Sequence, residues 1–149
     1  MSKGFQHNQI FKIVSMKDKT VIEAISGSAS NSNNPPVVAK KWSNAQSQKF
    51  KALLVRPGEF RLSSLLDESM SLAWDCEPSD RLLFQSAWEN RPFQTWFAEE
   101  IHPNSKICVI RPNADSQMCL RNMGVGNQIS LVEENLGDVN QHWKLESKY

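Results

Sequence analysis

Asn140-Gln141-His142-Trp143-Lys144-Leu145 settles how this chain is organised, because two weaker versions of it stand upstream. Alone, the stretch is a short strand signal: a polar pair, then an aromatic, a charge and an apolar residue. The other copies are Gln94-Thr95-Trp96-Phe97 and Gln48-Lys49-Phe50, and successive glutamines lie 46 and 47 residues apart. A nearly constant period of this size marks a repeat architecture.

Each period holds the same run of β-rich segments. The first has Ile10 to Val14, Thr20 to Ala24, Val37 to Trp42 and Gln48 to Leu54, with a Ser/Asn-rich loop from Ser26 to Pro36. The second has Glu59 to Leu62, Met70 to Trp74, Leu82 to Trp88 and Gln94 to Phe97. The third has Ile107 to Ile110, Met118 to Leu120, Gln128 to Val132 and His142 to Leu145. Polar, Gly and Pro turn residues separate them. Twelve short strands in three sets of four predict an all-β closed or sandwich architecture. No segment sustains an apolar 3.6 period over three turns. The stretch from Phe93 to Ile101 reads as strand because it contains the repeated Gln.

A chain of 149 residues, 40% apolar and 22% charged, is most economically one globular domain. A net charge of +1, with Lys and Arg scattered, supplies no electrostatic case for nucleic acid or an anionic membrane. Residues 1–9 are polar and lack a signal-peptide core, and no apolar run reaches the length of a membrane span, so no membrane insertion is expected. Cys76, Cys108 and Cys119 are odd in number and lack metal spacing, which predicts reduced, structural thiols. These absences predict a protein that is cytoplasmic or secreted without a signal peptide.

Three Gln-x-Trp-like motifs, each closing a four-strand unit, resemble the ricin B-type (R-type) lectin β-trefoil over roughly Ile10 to Glu146. The third copy matches the family motif in full; the second has Phe93 where Asn is usual, and the first has Ser47 and Phe50. The first loop, with its following apolar strand and Trp42 six residues before Gln48, is similar to single-domain fungal members without a secretion signal. The resemblance implies an all-β β-trefoil: three four-stranded repeats with pseudo-threefold symmetry, at about 10–57, 58–103 and 104–149. Residues 10–149 would form the single domain and 1–9 an N-terminal extension. It further implies that Phe50, Trp96 and Trp143 pack as one set, beside Ile13, Leu62 and Val109. Each Gln would satisfy backbone groups at the bend before its strand.

Family members bind galactose-like sugars in shallow sites, at most one per repeat. A carboxylate ends the second strand, an aromatic on the third strand covers the ring face, and an amide lies near the Gln. This mixture suits a ligand that is apolar on one face and hydroxylated at its edge. Carried onto this chain, repeat one offers Glu23, Lys40 at the aromatic position with Trp42 beyond it, Asn44 and Gln48. Repeat two has Ala73 at the carboxylate position, with Trp74 and Asp75 following, and then Trp88, Glu89 and Asn90. Repeat three has Arg121 and Val132 at the two key positions, which implies scaffold. The implied function is a non-catalytic lectin for galactose/GalNAc-type glycans of glycoproteins or glycolipids, through one or two sites in repeats one and two. Single sites of this kind bind near the millimolar level, roughly −4 kcal/mol, so several sites or a homodimer would supply useful strength.

Nothing nominates catalysis, a cofactor or a metal. His7, His102 and His142 lack ligand spacing, Gly124-Val125-Gly126 does not open a helix after a strand, and no nucleophile elbow occurs. An alternative from another class is a protein-binding trefoil, such as a protease inhibitor, holding the Ser26–Pro36 loop against its target with Pro35-Pro36 as stiffener. A targeting module detached from a larger toxin is a third.

Overall fold

A computed structural model of the chain describes residues 4–26, 34–75 and 81–147. Twelve strands follow the three expected sets: β1 Ile10–Ser15, β2 Val21–Ala24, β3 Val37–Lys40, β4 Phe50–Arg56, β5 Glu59–Ser64, β6 Met70–Trp74, β7 Leu83–Ala87, β8 Trp96–Glu100, β9 Ile107–Pro112, β10 Met118–Arg121, β11 Ser130–Glu133 and β12 Trp143–Glu146. Cys76 and the Glu77–Asp80 turn lie outside the described residues, as do residues 27–33 of the long first loop.

β1, β4, β5, β8, β9 and β12 pair in sequence around a ring, and antiparallel β12–β1 pairing closes it. The hairpins β2–β3, β6–β7 and β10–β11 cover one end. Single bridges Pro36↔Phe84, Val38↔Gln128 and Leu82↔Ser130 join each hairpin to another. Closure leaves no barrel edge to protect. The fold is a β-trefoil.

Strand alternation sends every second side chain inward, and the three repeats fill the core in matched layers. Phe50, Trp96 and Trp143 are almost wholly buried, and Ala52, Ala98 and Leu145 follow two residues along. Full burial of one large apolar side chain stabilises by about 3 kcal/mol. Trp96 Nε1 donates to the Leu72 carbonyl at 3.0 Å and Trp143 Nε1 to that of Leu120 at 3.1 Å. These carbonyls occupy equivalent places in the second strands of their repeats. Phe50 has no such proton to donate.

Three expectations need correction. Ile13 and Leu62 lie in the main core cluster, but their partner there is Ile110, not Val109. Val109 is one residue out of phase; Cys108 and Ile110 carry the inward alternation. Gln48 and Gln94 do not begin strands. They end single 3-10 turns, Gln46–Gln48 and Pro92–Gln94, matched by Val139–Gln141, and each strand starts two residues later. The third strand ends at Lys40, leaving Trp42 in the following loop.

The segment before β1 also contributes to the core. Phe5 stacks on Phe11 at 5.5 Å between ring centroids and meets Phe60 edge-on at 5.8 Å. It caps the barrel at the end away from the hairpins. Backbone bonds from Asn8 N to the Ala52 carbonyl and from Ala52 N to that of Gln9 tie the segment to β4.

Candidate functional site

The bend before each repeat's last strand is built around a buried glutamine. Gln48 Nε2 donates to the Lys41 carbonyl at 2.8 Å, while its Oε1 accepts from Ser43 N at 2.8 Å. Gln94 does the same with the Ala87 carbonyl at 2.7 Å and Glu89 N at 3.0 Å. Gln141 reaches the Glu133 carbonyl at 3.3 Å and Asn135 N at 2.8 Å. Each amide thereby replaces the partners that two backbone groups lose when the chain leaves the third strand. The third bend is one residue longer than the others.

The glutamine's remaining donor distinguishes the repeats. Gln48 Nε2 also holds Glu23 Oε1 at 2.8 Å, so the repeat-one carboxylate is fixed at the end of β2. In repeat two that donor goes to Ser86 Oγ at 2.8 Å, because Ala73 offers no acceptor. In repeat three Arg121 stands on the carboxylate position and its Nε pairs with Asp138 Oδ2 at 2.8 Å. Hydrogen bonds from Arg121 hold the Asp138 carboxyl at about 2.

Cross-strand register shows what stands opposite each position. Glu23 faces Val38, Ala73 faces Phe84, and Arg121 faces Ser130. Repeat one therefore has a carboxylate with no aromatic across from it, repeat two an aromatic, Phe84, across from the vacant carboxylate position, and repeat three neither. In repeat two, Phe84 and Phe93 join Ala73, Trp74, Asp75, Ser86, Arg91 and Gln94 around a cleft of about 230 Å³. Phe84 is half-buried and Phe93 is 38% exposed, so aromatic surface is presented to solvent.

Two of the expected site residues come together in repeat one, Glu23 and Gln48. Lys40 is exposed and faces Val21, two residues along β3 from Val38, the residue opposite Glu23. Trp42 lies under Lys12 of β1, whose Nζ is 4.3 Å from the ring centroid. Asp75 reaches the repeat-two cleft, but Trp88 and Asn90 do not line it. Trp88 is covered by the Arg61 guanidinium at 5.2 Å, and Asn90 Oδ1 accepts from Arg56 Nη1 at 2.9 Å. Asn44 and Asn90 share a turn role: each sits four residues before its Gln with φ of 62° and 56°. Asn tolerates this left-handed backbone better than most residues. Trp74 is 3% exposed and belongs to the core.

Phe84 and Phe93 were missed by the sequence reading. The available signal was the pairing of Phe84 with Ala73, visible once β6 and β7 were set in register.

Elsewhere, burial pushes the Cys108 thiol up to about 12 and the Cys119 thiol up to about 11. Both are buried and free, consistent with structural thiols; Cys119 Sγ donates to Gln141 Oε1 at 3.0 Å. Among the described residues no three His, Cys, Asp or Glu side chains gather as a metal site, and no helix is long and apolar enough to cross a membrane.

The sequence matches no family model and no curated protein. In structure it is similar to a Macrolepiota procera ricin B-like lectin in complex with lactose, with a TM-score of 0.76 and 19% identity over 97% of this chain and 99% of the other. It is also similar to ThreeFoil, a designed 3-fold symmetric protein, with a TM-score of 0.77 and 15% identity over 93% and 99%. The mosquitocidal holotoxin gives a TM-score of 0.84 at 17% identity; 97% of this chain covers 18% of that one. The fold is thus a β-trefoil, shared with these structures. It occurs both as a whole protein and as a minor part of larger chains.

Proposed function

We propose that this protein is a carbohydrate-binding lectin that acts without catalysis and recognises galactose/GalNAc-type glycans on glycoproteins or glycolipids. The observation that carries the reading is the repeat-two cleft, where Phe84 and Phe93 stand beside Asp75 and Arg91. An aromatic ring covers the apolar face of a pyranose, while charged and hydroxyl groups meet its edge. Glu23, held by Gln48 at 2.8 Å, supplies a weaker second site in repeat one, where Val38 and no aromatic lies across from it. Structural likeness to a lactose-bound ricin B-like lectin and to SeviL bound to asialo-GM1 saccharide supports the same reading.

A glycan array followed by calorimetry tests it. Galactose-terminated glycans bind the wild type; Phe84→Ala weakens binding at least tenfold, Glu23→Gln weakens it less, and Trp88→Ala leaves it unchanged. Absence of glycan binding, or equal binding by Phe84→Ala, overturns the assignment. The protease-inhibitor alternative rests on the Ser26–Pro36 loop, most of which lies outside the described residues.

A further inference from the structure

The three repeats treat one position differently, and the difference opens a second cleft. The residue after the carbonyl that receives the glutamine Nε2 is Trp42 in repeat one, Trp88 in repeat two and Glu134 in repeat three. Each meets a cation from the first strand of its repeat: Lys12, Arg61 and Arg111 respectively. Arg61 donates to the Glu68 carbonyl and Arg111 to that of Ser116, the corresponding carbonyl two residues before the second strand. In repeat two an indole ring covers the guanidinium. In repeat three Glu134 binds it instead, and a cleft of about 530 Å³ lies there, bounded by Phe97, Glu99, Arg111, Gln117, Glu133 and Glu134.

Arg111 forms the floor, with its side chain only 7% exposed. It orients two walls: Nη2 lies 2.9 Å from Glu99 Oε1 and also bonds Glu134 Oε1. Glu133 adds a third carboxylate, so the lining is net negative. Phe97 supplies an apolar wall, and Gln117 an amide able to donate and accept.

We propose that this cleft is a second ligand site, separate from the repeat-two cleft, for a sugar with a free amine, of the 2-amino-2-deoxyhexose class. The apolar face of the ring lies along Phe97, in the region that an indole closes in repeat two. Hydroxyls bond to the carboxylates held by Arg111. The ammonium group sits beside Glu133 and Glu134 and offsets the negative charge, which a neutral sugar leaves unbalanced.

Titration of the full chain with D-glucosamine, followed by amide chemical shifts and calorimetry, tests the site. Glucosamine shifts the amides of Phe97, Gln117 and Glu133, and N-acetylglucosamine binds there at least tenfold more weakly. Glu133→Gln and Gln117→Ala, both at exposed positions, each weaken glucosamine binding at least threefold, whereas Phe84→Ala does not alter it. Failure of the repeat-two reading therefore leaves this result intact. The proposal is overturned if those amides stay unmoved, if N-acetylglucosamine binds equally well, or if methylammonium alone reproduces the shifts. Occupancy by a tri-lysine peptide with no response to glucosamine also overturns it and assigns the cleft to basic peptides.

Discussion

The Lys12 ammonium lies 4.3 Å above the Trp42 ring and 3.6 Å from Glu146, so it joins the first strand to both a following loop and the last strand. Trp42 is thereby part of a barrel seam. A cation–π contact contributes about 1 kcal/mol where partly desolvated, and loss of the ring removes packing as well. Trp42→Ala is expected to lower the urea midpoint by an amount equal to about 2 kcal/mol. Its glycan binding stays at the wild-type level.

Gln94 makes contacts of 2.7 to 3.2 Å to Ala87, Ser86, Glu89 and Arg91, all from a side chain 2% exposed. Truncation leaves part-buried backbone donors and a carbonyl without this partner, each costing up to ~1–3 kcal/mol. Gln94→Ala should destabilise by about 3 kcal/mol in chemical denaturation. Gln94→Glu, which keeps the shape but replaces the amide donors with a carboxylate, should rescue little.

Trp96→Phe retains the ring's place in the core but removes the proton donated to Leu72. Because repeat one already closes with Phe50, the fold should survive, at a cost of about 2 kcal/mol for the stranded carbonyl and the lost volume. Thermal unfolding should stay cooperative with a lowered midpoint. A molten product would contradict the equivalence of the three positions.

Asp138 provides the pH test. Arg121 and Asn140 hold its carboxyl at about 2, below the ordinary value of 3.8. A depressed carboxylate contributes stability that is fully present above its unfolded pKa and lost as pH falls through the folded one. The contribution is thus intact above pH ~4 and fades toward pH ~2, amounting to about 1 kcal/mol after solvent screening. Asp138→Asn should be less stable than wild type at pH 6, and the gap should close near pH 2.

Phe5 is 7% exposed against Phe11 and Phe60. Phe5→Ala should cost about 3 kcal/mol, within the range for buried aromatics. Faster hydrogen exchange at the Ala52 and Leu54 amides, which bond to the Gln9 carbonyl and to His7 Nδ1, would localise the loss.

How legible the molecule was depends on the range of the signal. The three glutamines and their aromatics stand within six residues of one another in each copy, and their local alternation and spacing revealed twelve strands and a threefold register before any contact was known. Whether the inward residue is Val109 or Ile110 depends on phase, and two adjacent apolar residues leave phase open. The candidate site was less accessible. Glu23 and Gln48 are both repeat-one candidates, and they meet at 2.8 Å because each lies at the end of an element of that repeat. Trp42 and Trp88 stand among the candidate site residues by their place six residues before each Gln, which suits packing as well as stacking; Lys12 and Arg61 reach them from strands about 30 residues earlier, and no local pattern announces that. Phe84 is the aromatic opposite the carboxylate position only because cross-strand register sets it against Ala73. Periodicity along the chain carries the fold, since the same packing problem is solved three times. Which side chains are left facing solvent is settled by contacts between strands distant in sequence, so Asn140-Gln141-His142-Trp143 identifies the architecture while the open clefts lie elsewhere.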